Sequence, residues 1–172
     1  MKTSWFRAFI FSLLIFFILN FLFWIIGYGV ADLLDLQIAR IKQSPTHVIL
    51  ELVYPMGMFP WEAVGRSIAS TGIGFKIFYI GFVISLSIAS IVAGLFGGSI
   101  VKALAGWYLT SIICILLFII VFLIDISNLN YYCFGCSMTD GIIQVLIIGL
   151  VNMLIFGVLT FLIALFKGRS SK

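Results

Sequence analysis

Four stretches of this chain, each about 19 or more apolar residues long, match the length needed to cross the hydrocarbon core of a bilayer. Backbone groups in lipid must find their hydrogen bonds within the protein, so such stretches cross as helices. They predict an all-α integral membrane four-helix bundle, with spans at about Trp5 to Val30, Ile77 to Phe96, Leu104 to Ile124 and Gly141 to Phe166. Of 172 residues, 63% are hydrophobic and only 9% charged, whereas roughly a quarter of a soluble domain is charged. Lipid is the expected main solvent. Four spans leave one connection of any size, residues 31 to 76, and a single membrane domain over residues 1 to 172. The basic leader with Lys2 and Arg7 precedes an apolar run too long for a signal peptide, whose apolar region is about 7 to 15 residues. It is expected to stay as an anchor.

All six carboxylates fall in two inter-helix segments: Asp32, Asp35, Glu51 and Glu62 in the first connection, Asp125 and Asp140 in the third. Lys2, Arg7, Lys102, Lys167, Arg169 and Lys172 occupy the termini and the second connection, which hold no acid. The Lys/Arg bias therefore predicts both termini in the cytoplasm and residues 31 to 76 outside, most simply in the cell membrane. The net charge of +4 follows this topology pattern, so no nucleic-acid partner is expected. The expected partners are the lipid bilayer and a membrane protein or further copies of the chain.

No Asp, Glu, Lys, Arg or His falls in the middle of a span. Ion-coupled carriers and intramembrane metallo- or aspartyl proteases need such groups at depth, and are disfavoured. The polar residues at depth are Asn20, Thr110, Ser111, Gln144, Asn152 and Thr160, expected to bond helix to helix for about 1 kcal/mol each. In the second span Gly81, Ser85, Ala89, Ala93 and Gly97 recur at every fourth residue. Small residues at that spacing let another helix approach closely, which marks this face as a packing seam, within the bundle or between copies.

The first connection is too apolar for a solvated loop: Tyr54 and Trp61 are residue types that favour the headgroup region, and all three prolines, Pro45, Pro55 and Pro60, lie here. It is expected to be an interfacial or re-entrant segment. Residues 31 to 42 can extend the first helix, with Leu34, Ile38 and Ile41 on one face. A second short helix can begin at Pro60, pair Glu62 with Arg66 at i, i+4, and end at Gly72. Glu62 and Arg66 are the polar candidates of this segment, for a headgroup contact or, more ordinarily, an exposed ion pair. His47, the sole histidine, reads as an interfacial loop residue.

Cys133 and Cys136 form a C-x-x-C immediately before the fourth span, and Ser137 with Asp140 reads as a capping pair. A helix N-terminus favours thiolate, so the position suits thiol exchange. As a passive disulfide, so short a loop stabilises by only about 2 kcal/mol. As a metal site, two thiolates make half a tetrahedral zinc shell, to be completed by Asp140, His47 or a second subunit. Cys114, mid-span, reads as a small buried apolar residue. Four spans with C-x-x-C at the mouth of the last helix resemble the vitamin K epoxide reductase family, integral-membrane thiol oxidoreductases that use a quinone. The resemblance covers residues 133 to 136 and the span count. It implies that Cys133 and Cys136 act on the quinone and that a second cysteine pair in the first connection relays electrons. Residues 31 to 76 contain no cysteine, so on this reading a partner supplies that pair.

The leading expectation is a non-catalytic subunit, scaffold or helper of a membrane assembly, without a cofactor or resident metal. The alternative is a thiol oxidoreductase working through Cys133 and Cys136. A third is an oligomeric channel lined by Asn20, Gln144 and Asn152.

Overall fold

The computed structural model describes residues 5–133 and 135–170, so Lys2, Phe134 and Lys172 lie outside the described residues, as does the side chain of Arg169. Four helices are long and apolar enough to cross a membrane: α1 (Trp5–Val30), α5 (Ile73–Phe96), α6 (Ile100–Ile124) and α8 (Met138–Ser170). Around the bundle α1 neighbours α5 and α6, and α8 neighbours the same two. Half of the apolar window of α5 is buried, against 28% for α1. Helix α5 can bury that much because its face carries the small residues.

Four further short helices fill the connections: α2 (Leu34–Gln43), α3 (His47–Val53), α4 (Pro60–Ala69) and α7 (Ile126–Tyr132), with a 3₁₀ turn over Tyr54–Gly57 between α3 and α4. Helix α2 does not continue α1. Asp32 adopts a left-handed φ of 57°, Leu33 N–H bonds the Tyr28 carbonyl at 2.9 Å and Asp32 N–H that of Gly29 at 3.2 Å. This pair of bonds closes α1 as a Schellman motif with aspartate in the place glycine usually takes. Pro60 opens α4 as the sequence predicts, but Gly72 does not end it. Ser70 does, its N–H and hydroxyl both donating to the Arg66 carbonyl at 2.9 and 2.6 Å, and Gly72 instead precedes α5.

The main core is aromatic and lies between the spans and the first connection, with Phe16, Trp107, Phe118 and Phe122 against Leu50 and Met56. The first connection is held there from inside the bundle. Asn152, fully buried at the middle of α8, directs its amide Nδ2 at the carbonyls of Pro55, Met56 and Met58 at 3.0–3.3 Å. Asn20 of α1 donates to the Leu52 carbonyl at 3.0 Å, and the Tyr132 hydroxyl to that of Gly57 at 2.6 Å. A 3₁₀ turn leaves carbonyls without helical partners, and a buried carbonyl needs a donor. Spanning-helix amides provide it.

Candidate functional site

The expected bonds between spans are present in part. Ser12 and Thr110 share a hydrogen bond of 2.5 Å between α1 and α6, and Thr160 of α8 donates to the Ser90 carbonyl of α5 at 3.0 Å. Asn20 and Asn152 instead serve the first connection, Ser111 bonds its own helix at Trp107, and Gln144 is exposed on α8. All five positions of the small-residue face, Gly81, Ser85, Ala89, Ala93 and Gly97, are buried within the chain. A Cβ at Gly81 would run into Phe23 of α1, and one at the neighbouring Gly94 would meet Ile163 of α8 at 2.8 Å. The α1/α5 interface has a second close approach, at Gly27 and Gly74, which the fourth-residue spacing did not single out. A Cβ at Gly27 would lie 2.9 Å from Phe78 Cβ and 3.1 Å from the Gly74 carbonyl oxygen.

Glu62 and Arg66 meet on α4, with Arg66 Nη2 2.7 Å from Glu62 Oε1. Both are exposed, and the pair belongs to the surface, where its contribution is a few tenths of a kcal/mol. Cys133 and Cys136 are joined by a disulfide, Cα to Cα 5.6 Å, with Gly135 of the turn at φ 80°. Ser137 accepts from Asp140 N–H at 3.2 Å and its hydroxyl bonds Asp140 Oδ2 at 2.6 Å, which caps α8 just beyond the disulfide.

His47 is not a loop residue at an interface. It opens α3, is 3% exposed, and its Nδ1 lies 3.2 Å from Asn128 Oδ1 of α7. Its Nε2 is 3.4 Å from Glu51 Oε1, within ion-pair reach though not in hydrogen-bond geometry. Asp140, the other proposed zinc ligand, is engaged with Ser137 on α8. The reason for the misreading is local: His47 and Glu51 are one helical turn apart, so a single short helix buries both on one face.

That buried pair stands behind a polar cleft. The Tyr131 hydroxyl donates to Glu51 Oε1 at 3.1 Å and accepts from Tyr28 at 3.2 Å, a chain of donors running from α1 through α7 to α3. Burial, reinforced by the Glu51 carboxylate, pushes the Tyr131 phenol well above its ordinary value, so it remains an O–H donor. Arg40 of α2 stacks over the Tyr131 ring, 5.1 Å to its centroid. Two adjoining cavities share these two residues. One, of about 410 Å³, is lined also by Ser44, His47, Asp125 and Asn128. The other, of about 200 Å³, is lined also by Tyr28, Gln37, Tyr54 and Phe78. Gln37 is 2% exposed and its Oε1 has no hydrogen-bond partner. The cleft escaped sequence reading because Tyr131 on α7 lies 91 residues or more from Arg40 and Gln37 on α2 and no spacing motif links them; the one local signal was the i, i+4 pair His47 and Glu51.

An all-helical fold with four apolar helices of spanning length defines a multi-pass membrane protein. Comparison with known proteins adds no family to that class: no family model, no curated protein and no solved structure matches the chain.

Proposed function

We propose that this chain is a non-catalytic subunit or helper of a membrane assembly. Its spans sit in the cell membrane with both termini cytoplasmic, and they carry an interfacial, re-entrant outer segment for a partner to meet. One observation carries the reading: both asparagines deep in the spans are spent on shaping the first connection, Asn20 on the Leu52 carbonyl and Asn152 on the carbonyls of Pro55, Met56 and Met58. Bilayer depth penalises every unpaired amide and carbonyl, so a chain that uses its amides this way stabilises a defined outer surface. Exposed apolar groups on and beside α4, with Trp61 58% and Ile68 77% exposed, support its lying at the membrane interface. Lys102 in the first turn of α6, beside the short connection, and Lys167 near the far end of α8 support the orientation.

The test is the size of the native particle after mild extraction, for the wild type and for the double variant Cys133→Ser/Cys136→Ser. A defined assembly larger than a single 19.2 kDa chain, unchanged by loss of the cysteines, is the expected result. A monomer in both sinks the subunit reading. Quinone-dependent thiol turnover by the wild type, absent from the double variant, replaces it with the oxidoreductase.

A further inference from the structure

We infer that the cleft between α2, α5 and α7 binds the headgroup of a primary-amine phospholipid, with its phosphate on Arg40 and its ammonium on Gln37 Oε1. Two independent features of the cleft point to a ligand of this chemistry. Arg40 is half-buried, and among the described residues no carboxylate comes within ion-pair distance of it; its recorded contact is the face of Tyr131. A guanidinium in that state offers a fork of donors to an oxyanion, and phosphate matches it in geometry. Gln37 supplies the complement. The residue lines the same cavity, and its buried carbonyl oxygen has no donor, which is costly, so a ligand N–H entering beside it is the partner assigned to it.

The surroundings select the cation. Tyr28, Tyr54, Tyr79 and Tyr131 line the smaller cavity, and tyrosine rings attract an ammonium. Glu51 lies directly behind Tyr131, which donates to it. A quaternary ammonium is also drawn to such rings but has no N–H, and leaves Gln37 Oε1 unsatisfied, so the cleft distinguishes ethanolamine-type from choline-type headgroups. The walls select a lipid over a free solute: Phe75 and Phe78 belong to a spanning helix, Leu33 and Leu36 to the segment beside it, and Leu36 is 49% exposed. Acyl chains leaving the cleft pass directly onto apolar surface. This inference goes beyond the subunit reading and stands even if the chain proves to be a monomer.

The experiment uses the full chain in detergent, with thermal midpoint and native mass spectrometry as readouts. The added probes are phosphatidylethanolamine, phosphatidylcholine, phosphatidylglycerol and free phosphoethanolamine. Phosphatidylethanolamine is expected to bind roughly fivefold or more tightly than phosphatidylcholine, the worth of one satisfied buried acceptor. Arg40→Gln is expected to weaken both, Gln37→Leu to make them equal, and Gln37→Glu, which keeps an acceptor, to preserve the preference. Equal binding of the two lipids by the wild type overturns the proposal whatever the variants do, and a preference that survives Gln37→Leu overturns the role of Gln37. Phosphatidylglycerol binding as tightly as phosphatidylethanolamine overturns the ammonium assignment. Free phosphoethanolamine acting as strongly as the lipid overturns the membrane source.

Discussion

Asp32 holds a left-handed conformation that costs most side chains about 1 to 2 kcal/mol and aspartate less, because its short carboxylate tolerates this region. That one residue ends α1 and turns α2 aside, and it is why Arg40 and Gln37 face Tyr131 rather than continuing along the membrane helix. Asp125 does a related job in the third connection. The Ser44 hydroxyl and the Ser127 N–H both donate to it, and they hold its carboxyl below the ordinary range, Ser44 contributing most. A folded-state value lowered in this way adds stability that is complete above the unfolded carboxylate value of about 4 and is lost as the pH falls through the lower, folded value. Ser44→Ala is therefore expected to move the Asp125 carboxyl up toward its ordinary value and bring the acid-side loss of stability to higher pH. Carboxyl ¹³C chemical shifts across an acid titration read this directly, and an unmoved midpoint removes Ser44 as the cause.

The helices of this chain pack by close approach. Lipid tails are as apolar as the helix surfaces, so no hydrophobic gain accompanies helix contact and van der Waals fit takes its place. The α1/α5 pair shows this twice along its seam, where Gly81 receives Phe23 and, nearer the first connection, Gly27 opposes Gly74 and Phe78. Gly74→Leu sets a large side chain against the backbone of α1 at Gly27 and Ala31, which cannot move aside as a flexible side chain does. It is expected to destabilise the bundle by about 1–3 kcal/mol, read as lowered thermal or denaturant resistance in detergent. Gly65→Leu on α4, where an added Cβ meets nothing within 4 Å, is the control expected to change little.

At the level of the whole molecule, the first connection behaves as a fifth layer of the bundle. It is anchored by Asn20, Asn152 and Tyr132 from three other elements. Asn152→Leu fills the same space but removes the amide that the carbonyls of Pro55, Met56 and Met58 share. It is expected to cost on the order of 1–2 kcal/mol and to expose residues 54–60 to proteolysis while the four spans stay folded; a connection still protected in that variant refutes the anchoring role. The sequence alone determined that the chain is all-helical and has four spans, because twenty apolar residues in a row have one physical solution in lipid, and that solution depends only on run length. It also placed the start of α4 at Pro60, the Glu62–Arg66 pair and the Ser137–Asp140 cap, since each is a contact within one helical turn. The break at Asp32 is local but carried by an aspartate where glycine is the usual signal, whereas the burial of His47 and the cleft around Arg40 were decided only by the tertiary structure. Their partners lie on other elements, Asn128 for His47 and Tyr131 for Arg40, and a pairing across 80 or more residues is set by how helices pack, which no local spacing encodes.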